Sequence, residues 1–163
     1  MRELPVDFEE LAAAMEDHTG ETQWYLDLET GEVYFISSEV AELAYQEEPD
    51  LSGLDDWEQE PAQAFLAAQE GDPRYKRVPQ MPSYEVYNVM VEFAQSVRDR
   101  HLARMLELAL DGKGAFGRFK HALDGYPREA ERWYAMKQAW FDQQIREWLH
   151  DLEIAPIRKQ PGS

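Results

Sequence analysis

The chain has no cysteine among its 163 residues, which excludes disulfides, thiol nucleophiles, thiolate zinc sites and iron–sulfur clusters. A redox role would therefore need a bound cofactor, and no cofactor is expected. No apolar run approaches the roughly 18 residues of a bilayer-spanning helix, so no membrane association is expected. The amino terminus, MRELPVDFEE, lacks the basic start and apolar run of a secretory signal, and a cytoplasmic location is expected. Basic residues are scarce at the start: residues 1–72 carry 21 Asp and Glu against the single Arg2, a sum of −20. The remainder carries 12 acidic and 15 basic residues, or +3, which together give the formal net charge of −17. Such a chain repels a phosphate backbone, so duplex DNA is not expected as a partner. The acidic half reads most simply as a solvated, self-repelling face. It also suits a protein partner or mimicry of nucleic acid.

What the chain does contain is apolar bulk. Aromatic residues are 12% of the total and five are Trp, enough large side chains for a real core at this length. One α+β domain is expected over residues 1–155, with a flexible tail over 156–163. Its acidic part would hold a small antiparallel sheet, a hairpin plus a short third strand, packed with a mostly helical C-terminal half over 82–152.

In chain order, Asp7 can cap a first helix with Glu10 at its third position and Val6 stapled onto Leu11. Phe8, Leu11, Ala12 and Met15 then share one face. Residues 23–37 predict a β-hairpin, with Trp24, Leu26 and Leu28 alternating against Tyr25, Asp27 and Glu29. Its loop over 29–31 places Gly31 where a left-handed backbone is needed. The returning strand carries Tyr34, Phe35 and Ile36 in succession and is expected to be covered on both faces. Ser38 is the expected cap of a short helix carrying Val40, Leu43 and Ala44. The run 47–60 has seven acidic residues and no basic ones, but it lacks the ligand spacing and central glycine of a calcium loop. Pro61 suits the start of the next helix, 62–70. Residues 71–73 form a turn, and 74–78 predict the third strand, with Arg74, Lys76 and Arg77 answering the acidic half.

Ser83 is the expected cap of a helix to about Val97, with Val86, Met90, Phe93 and Val97 inward. Asp99 restarts a helix over 100–110 with Leu102, Met105, Leu106 and Ala109 inward. Arg98, Arg100 and Arg104, with Lys113, Arg118 and Lys120, make a modest basic patch. Gly112, Gly114 and Gly117 satisfy G-x-G-x-x-G letter for letter, the pattern that lets a backbone approach a pyrophosphate. The setting is wrong, because that fingerprint follows a strand, whereas here a helix precedes and Gly112 falls at its carboxyl cap. A helix-loop-helix corner is the simpler reading. The amides that open the helix 115–123 could still hold an anion, which makes Lys113, Gly114, Arg118 and Lys120 candidate anion-binding residues.

Pro127 begins a long last helix to about Leu152. Tyr134, Phe141, Ile145, Trp148, Leu149 and Leu152 fall in one arc, widened by Trp133, Met136 and Trp140. Core packing is expected of that row rather than a ligand pocket. Glu147 and His150 make one E-x-x-H, but a di-iron bundle needs two plus further carboxylates, so no metal site is expected. No catalytic residue is expected either, since Ser37 and Ser38 lack a nucleophile-elbow setting.

Residues 26–33 (LDLETGEV), 74–79, 112–116 with Phe119 and Lys120, 131–134 (ERWY) and 147–149 together resemble a bacterial group, uncharacterised protein family zero-one-five-eight. The likeness covers most of the chain. In that family's pattern, G-x-G-A-F-x-x-F-K, Gly117 is not a fixed letter. The resemblance implies a bacterial cytoplasmic protein without implying any activity or catalytic residue. The functional expectation is accordingly a non-enzymatic binding or regulatory module with a protein partner. The alternative is an enzyme or sensor that binds a phosphorylated small molecule at the 112–117 corner, with Glu131 and Arg132 nearby.

Overall fold

A computed structural model of the chain describes residues 1–159. The chain divides into two compact units, Met1–Gln80 with the chain from Gln144 onward, and Met81–Gln143. The class is α+β, as expected.

The first unit opens with β1 (Arg2–Val6) and α1 (Phe8–Glu16). Asp7 caps α1, its Oδ1 accepting from the Glu10 amide at 3.1 Å. Phe8, Leu11, Ala12 and Met15 are all buried, as their spacing requires. The hairpin follows as β2 (Gln23–Asp27) and β3 (Val33–Ile36), antiparallel, with Tyr25 opposite Tyr34. The short third strand, β4 (Tyr75–Arg77), pairs antiparallel with the other edge of β2, so the order is β3-β2-β4. This places β2 in the centre. Tyr25 and Leu26, on opposite faces, are both buried, and the alternation expected of a half-exposed strand fails. Asp27, on the face expected to meet solvent, is fully buried. On β3 the covering of both faces is incomplete: Val33, Tyr34 and Ile36 are buried but Phe35 is partly exposed.

Two helices, one short and one long, cover the sheet. In α2 (Ser38–Leu43) the cap is Ser37, whose Oγ accepts from the Val40 amide at 3.3 Å, and Ser38 is already helical. In α3 (Asp56–Gln69) Pro61 lies inside the helix, five residues after its start, rather than at its beginning. Tertiary packing overrides the local preference: Ala62, Ala64 and Phe65 join Tyr25, Tyr34, Ile36 and Val40 in one buried cluster. That cluster rewards a helix long enough to lie across the sheet.

Two further strands were not foreseen from sequence. Ile154–Arg158 forms β5, which runs parallel to β1 with Arg2 opposite Ile154 and Val6 opposite Arg158. The Lys159 amide donates to the Val6 carbonyl at 2.9 Å. The expected tail from 156 onward is therefore a paired strand as far as Arg158, and residues 160–163 lie outside the described residues. Leu4, Val6 and Ile154 are buried, but a pair this short, carrying Pro5 and Pro156, gives almost no periodic signal.

The second unit is helical: α4 (Ser83–Ser96), α5 (Arg100–Ala109), α6 (Ala115–Ala122), a 3-10 turn at Leu123–Gly125, and the first part of α7 (Pro127–Asp151), whose last turns belong to the first unit. Asp99 caps α5 through the Leu102 amide at 2.9 Å. Ser83 makes no capping bond; the residue at that position is Pro82. The core holds Phe93, Phe119 and Trp133 edge to face, with centroids 5.0 to 6.0 Å apart. On α7 the inward residues of this unit are Trp133 and Phe141, whereas Tyr134, expected in the same arc, is half exposed. Among the described residues no helix is long and apolar enough to cross a membrane.

Candidate functional site

The corner between α5 and α6 is built by two left-handed glycines. Gly112 has φ 80° and Gly114 has φ 77°, a conformation that costs L-residues about 1–2 kcal/mol each. Gly114 is the N-cap of α6 and supplies no side-chain cap, while its carbonyl accepts from the Arg118 amide at 3.0 Å. Tyr87 donates its hydroxyl to the Leu110 carbonyl at 2.7 Å, which closes the end of α5. The Arg118 guanidinium folds back over the loop and donates to the carbonyls of Asp111 and Lys113. A Cβ built on Gly114 would stand 3.1 Å from Arg118 Nη1, so the glycine makes room for this clamp.

Of the four candidate anion-binding residues, Lys113, Gly114 and Arg118 are brought together in the loop. Lys120 lies two residues beyond Arg118 on α6, about 200° around the helix axis, and so on another face. Arg118 is engaged with carbonyls of its own loop. Gly117 is an ordinary helical residue with no atom within 4 Å of where its Cβ would be. A helix, not a strand, precedes the loop, in keeping with a helix-loop-helix corner.

Charge is sharply divided. Met81–Gln143 holds nine Asp and Glu against nine Lys and Arg, so the whole net charge of −17 falls on the other unit. Within that acidic unit, Arg74 and Lys159 are among the cations that answer it directly. Arg74 forks onto Asp27 at 2.9 and 2.8 Å and reaches Glu29 at 3.3 Å, and Lys159 meets Glu32 at 2.8 Å. Burial pushes the Asp27 carboxyl up, but the Arg74 bonds, the Glu29 amide and the Thr30 side chain outweigh it and hold the group below its usual range. Asp17 is drawn down to about 2, foremost by the Trp24 indole N–H at 2.8 Å, with further bonds from Thr19 and Thr22. Lys76 and Arg77, expected to compensate the acidic half, are exposed and make no ion pair among the described residues. The same holds for Arg98, Arg100, Arg104, Lys113 and Lys120 in the helical unit.

Two surface features were missed from sequence. Within the acidic run around α2 and α3, Tyr45 and Trp57 are 86% and 66% exposed. Beside the corner, Leu108 is 63% exposed on the outer side of α5, where it lines two grooves. One, of about 760 Å³, lies between α4 and α5 and includes Tyr87, Val91, Arg104 and Glu107. The other, of about 430 Å³, lies between α5 and α6 and is lined by Met105, Leu108, Ala109, Gly117, Arg118, His121 and Ala122. The sequence signal was an unpaired one: Leu108 falls one turn beyond Arg104, on the polar side of an otherwise strongly amphipathic helix. Among the described residues no three His, Asp or Glu side chains come together as a metal site.

The fold and this corner define an α+β protein with one acidic unit and one charge-balanced helical unit. The chain belongs to the uncharacterised protein family UPF0158, whose model matches residues 1–161. It is 30% identical over 160 residues to UPF0158 protein PA5073 of Pseudomonas aeruginosa, a match covering 98% of this chain and 91% of that protein. No solved structure matches the chain.

Proposed function

We propose that the protein is a non-enzymatic binding or regulatory module that engages a protein partner through its charged surfaces. The observation that carries this reading is the uneven division of charge, with exposed cations left without ion-pair partners. Five exposed cations of the helical unit have no ion-pair partner among the described residues, and the net negative charge lies wholly in the other unit. Charge arranged in this way raises association rates and selects partners of opposite sign more than it stabilises a fold. Capture from a bacterial lysate at low and high salt tests it. A protein retained at low salt and released at high salt is expected, with retention weakened by Arg104→Glu combined with Lys113→Glu. Finding no salt-sensitive protein partner overturns the reading.

A phosphorylated small molecule at the 112–117 corner is the second reading, made by an enzyme or sensor. Its support is the first turn of α6, which no side chain caps, with Lys113 next to it. In this arrangement Arg118 holds the loop in shape and Lys113 meets the anion. Thermal shift with nucleotides and sugar phosphates tests this reading: stabilisation that disappears in Lys113→Ala supports it, and no stabilisation by any of them sinks it.

A further inference from the structure

The groove between α5 and α6 has three features that an ordinary helix–helix seam does not need. Its floor is apolar, formed by Met105, Leu108, Ala109, Gly117 and Ala122, and Leu108 is left largely in water. The one charged residue of its lining is the basic Arg118, and Arg104, exposed and without an ion pair among the described residues, stands one turn before Leu108 on α5. Its floor is also cut away at Gly117. That residue is inside a helix, needs no left-handed backbone, and has open space where a Cβ would be. Neither backbone nor packing calls for glycine there, and alanine would make the better helix. What the glycine does provide is depth in the groove.

We propose that this groove docks an acidic amphipathic helix of a protein partner. The partner segment carries apolar residues at helical spacing that settle over Leu108 and Gly117, flanked by Asp or Glu that meet Arg118 in the lining and Arg104 at the groove's edge on α5. The proposal rests on the reading of the protein as a charged-surface binding module, and it adds which surface is used and what chemistry it recognises. Charge complementarity selects the occupant: an apolar segment flanked by Lys or Arg would face like charges, and a nucleic acid would leave the floor uncovered. With ten residues, α5 is about 15 Å long and matches roughly three turns of a partner helix. Arg118 keeps its bonds to the loop carbonyls and presents its charge to the partner.

The absence of cysteine allows a clean test. His101→Cys places one thiol on α5 a turn before Met105, and a benzophenone maleimide attached there can be cross-linked in a bacterial lysate. The cross-linked segment, mapped by mass spectrometry, is expected to show apolar residues at helical spacing flanked by Asp or Glu. Leu108→Glu, which buries a charge against the partner, and Gly117→Leu, which fills the floor, are each expected to reduce that product about tenfold or more. The same label on Phe116→Cys, exposed on α6 about 200° around the axis from Arg118 and so facing away from the groove, is expected to give none of it. A segment without that pattern, a nucleic acid, a second copy of this chain, or no cross-link at all overturns the proposal. Salt-sensitive capture that survives both Leu108→Glu and Gly117→Leu overturns the groove while leaving the broader reading intact. No salt-sensitive capture by the unaltered chain overturns both.

Discussion

At Gly31 two constraints coincide. Its φ of 81° is left-handed, and a Cβ there would lie 1.7 Å from the Pro5 carbonyl oxygen of β1. The hairpin loop is thus pressed against a strand contributed by the start of the chain. Gly31→Ala is expected to cost about 2 kcal/mol or more, from backbone strain and forced displacement together. Gly117→Ala, by contrast, meets open space and is expected to stabilise the protein by about 0.5–1 kcal/mol. Urea unfolding of the two variants checks both signs, and equal effects would refute the packing of the turn on β1. Asp17 supplies a pH signature. Its folded-state pKa of about 2 lies below the ordinary 3.8, so its contribution is complete above about pH 4 and is lost as pH falls towards 2. Asp17→Asn should flatten that part of the acid-unfolding curve relative to the unaltered chain. At this scale the need for glycine at Gly31 was legible from the loop over 29–31, whereas its contact with β1 was not. Asp27 was misplaced outright, because a polar letter in an alternating strand signals solvent unless a distant Arg74 arrives to meet it.

Among the elements, the aromatic trio of Phe93, Phe119 and Trp133 joins α4, α6 and α7 in the second unit. Trp133 is buried whereas Phe116, three residues earlier than Phe119 on α6, is 47% exposed. Trp133→Ala is expected to lose about 3–5 kcal/mol by denaturant unfolding. Phe116→Ala should remain within about 0.5 kcal/mol. A small effect at Trp133 would mean that the three rings are not the centre of this unit. Most helices were readable because their caps and periodicity are local: Asp7 and Asp99 cap as expected, and α5 buries Leu102, Leu106 and Ala109. The departures occur where a local rule competes with a distant surface. Ser37 rather than Ser38 caps α2, Pro61 is carried inside α3, and Tyr134, expected in the apolar arc of α7, is half exposed beside the buried Trp133. A rotation of one residue moves the apolar arc by about 100°, and the packing partner decides which choice is made.

For the molecule as a whole, electrostatics sets the conditions of stability. The −17 formal charge falls in one unit, and 21 acidic side chains precede the second basic residue of the chain, Arg74. Their repulsion is weakly screened at low ionic strength, where the Debye length is about 30 Å at 0.01 M salt against about 8 Å at 0.15 M. The melting temperature is therefore expected to rise by a few degrees between those two salt concentrations. Scanning calorimetry in sodium chloride checks it. A fall instead would mean that pairs such as Arg74 with Asp27 outweigh the repulsion. The α5–α6 groove belongs to this scale too, since Arg118 is exposed beside an apolar floor while most of the acidic residues belong to the other unit.

By itself the sequence determined the α+β class, the hairpin, the helical second half, the charge division and the helix-loop-helix nature of the 112–117 corner. Each of these depends on letters close together in the chain, through caps, periodicity and left-handed glycines. Only the tertiary structure decided that β1 and β5 pair, that β2 is central with Asp27 locked inside by Arg74, that Arg118 clasps its own loop, and that Leu108 and Gly117 open a groove. Those outcomes depend on which surfaces meet across tens of residues, and burial and hydrogen-bond satisfaction, unlike helix caps, have no local signature.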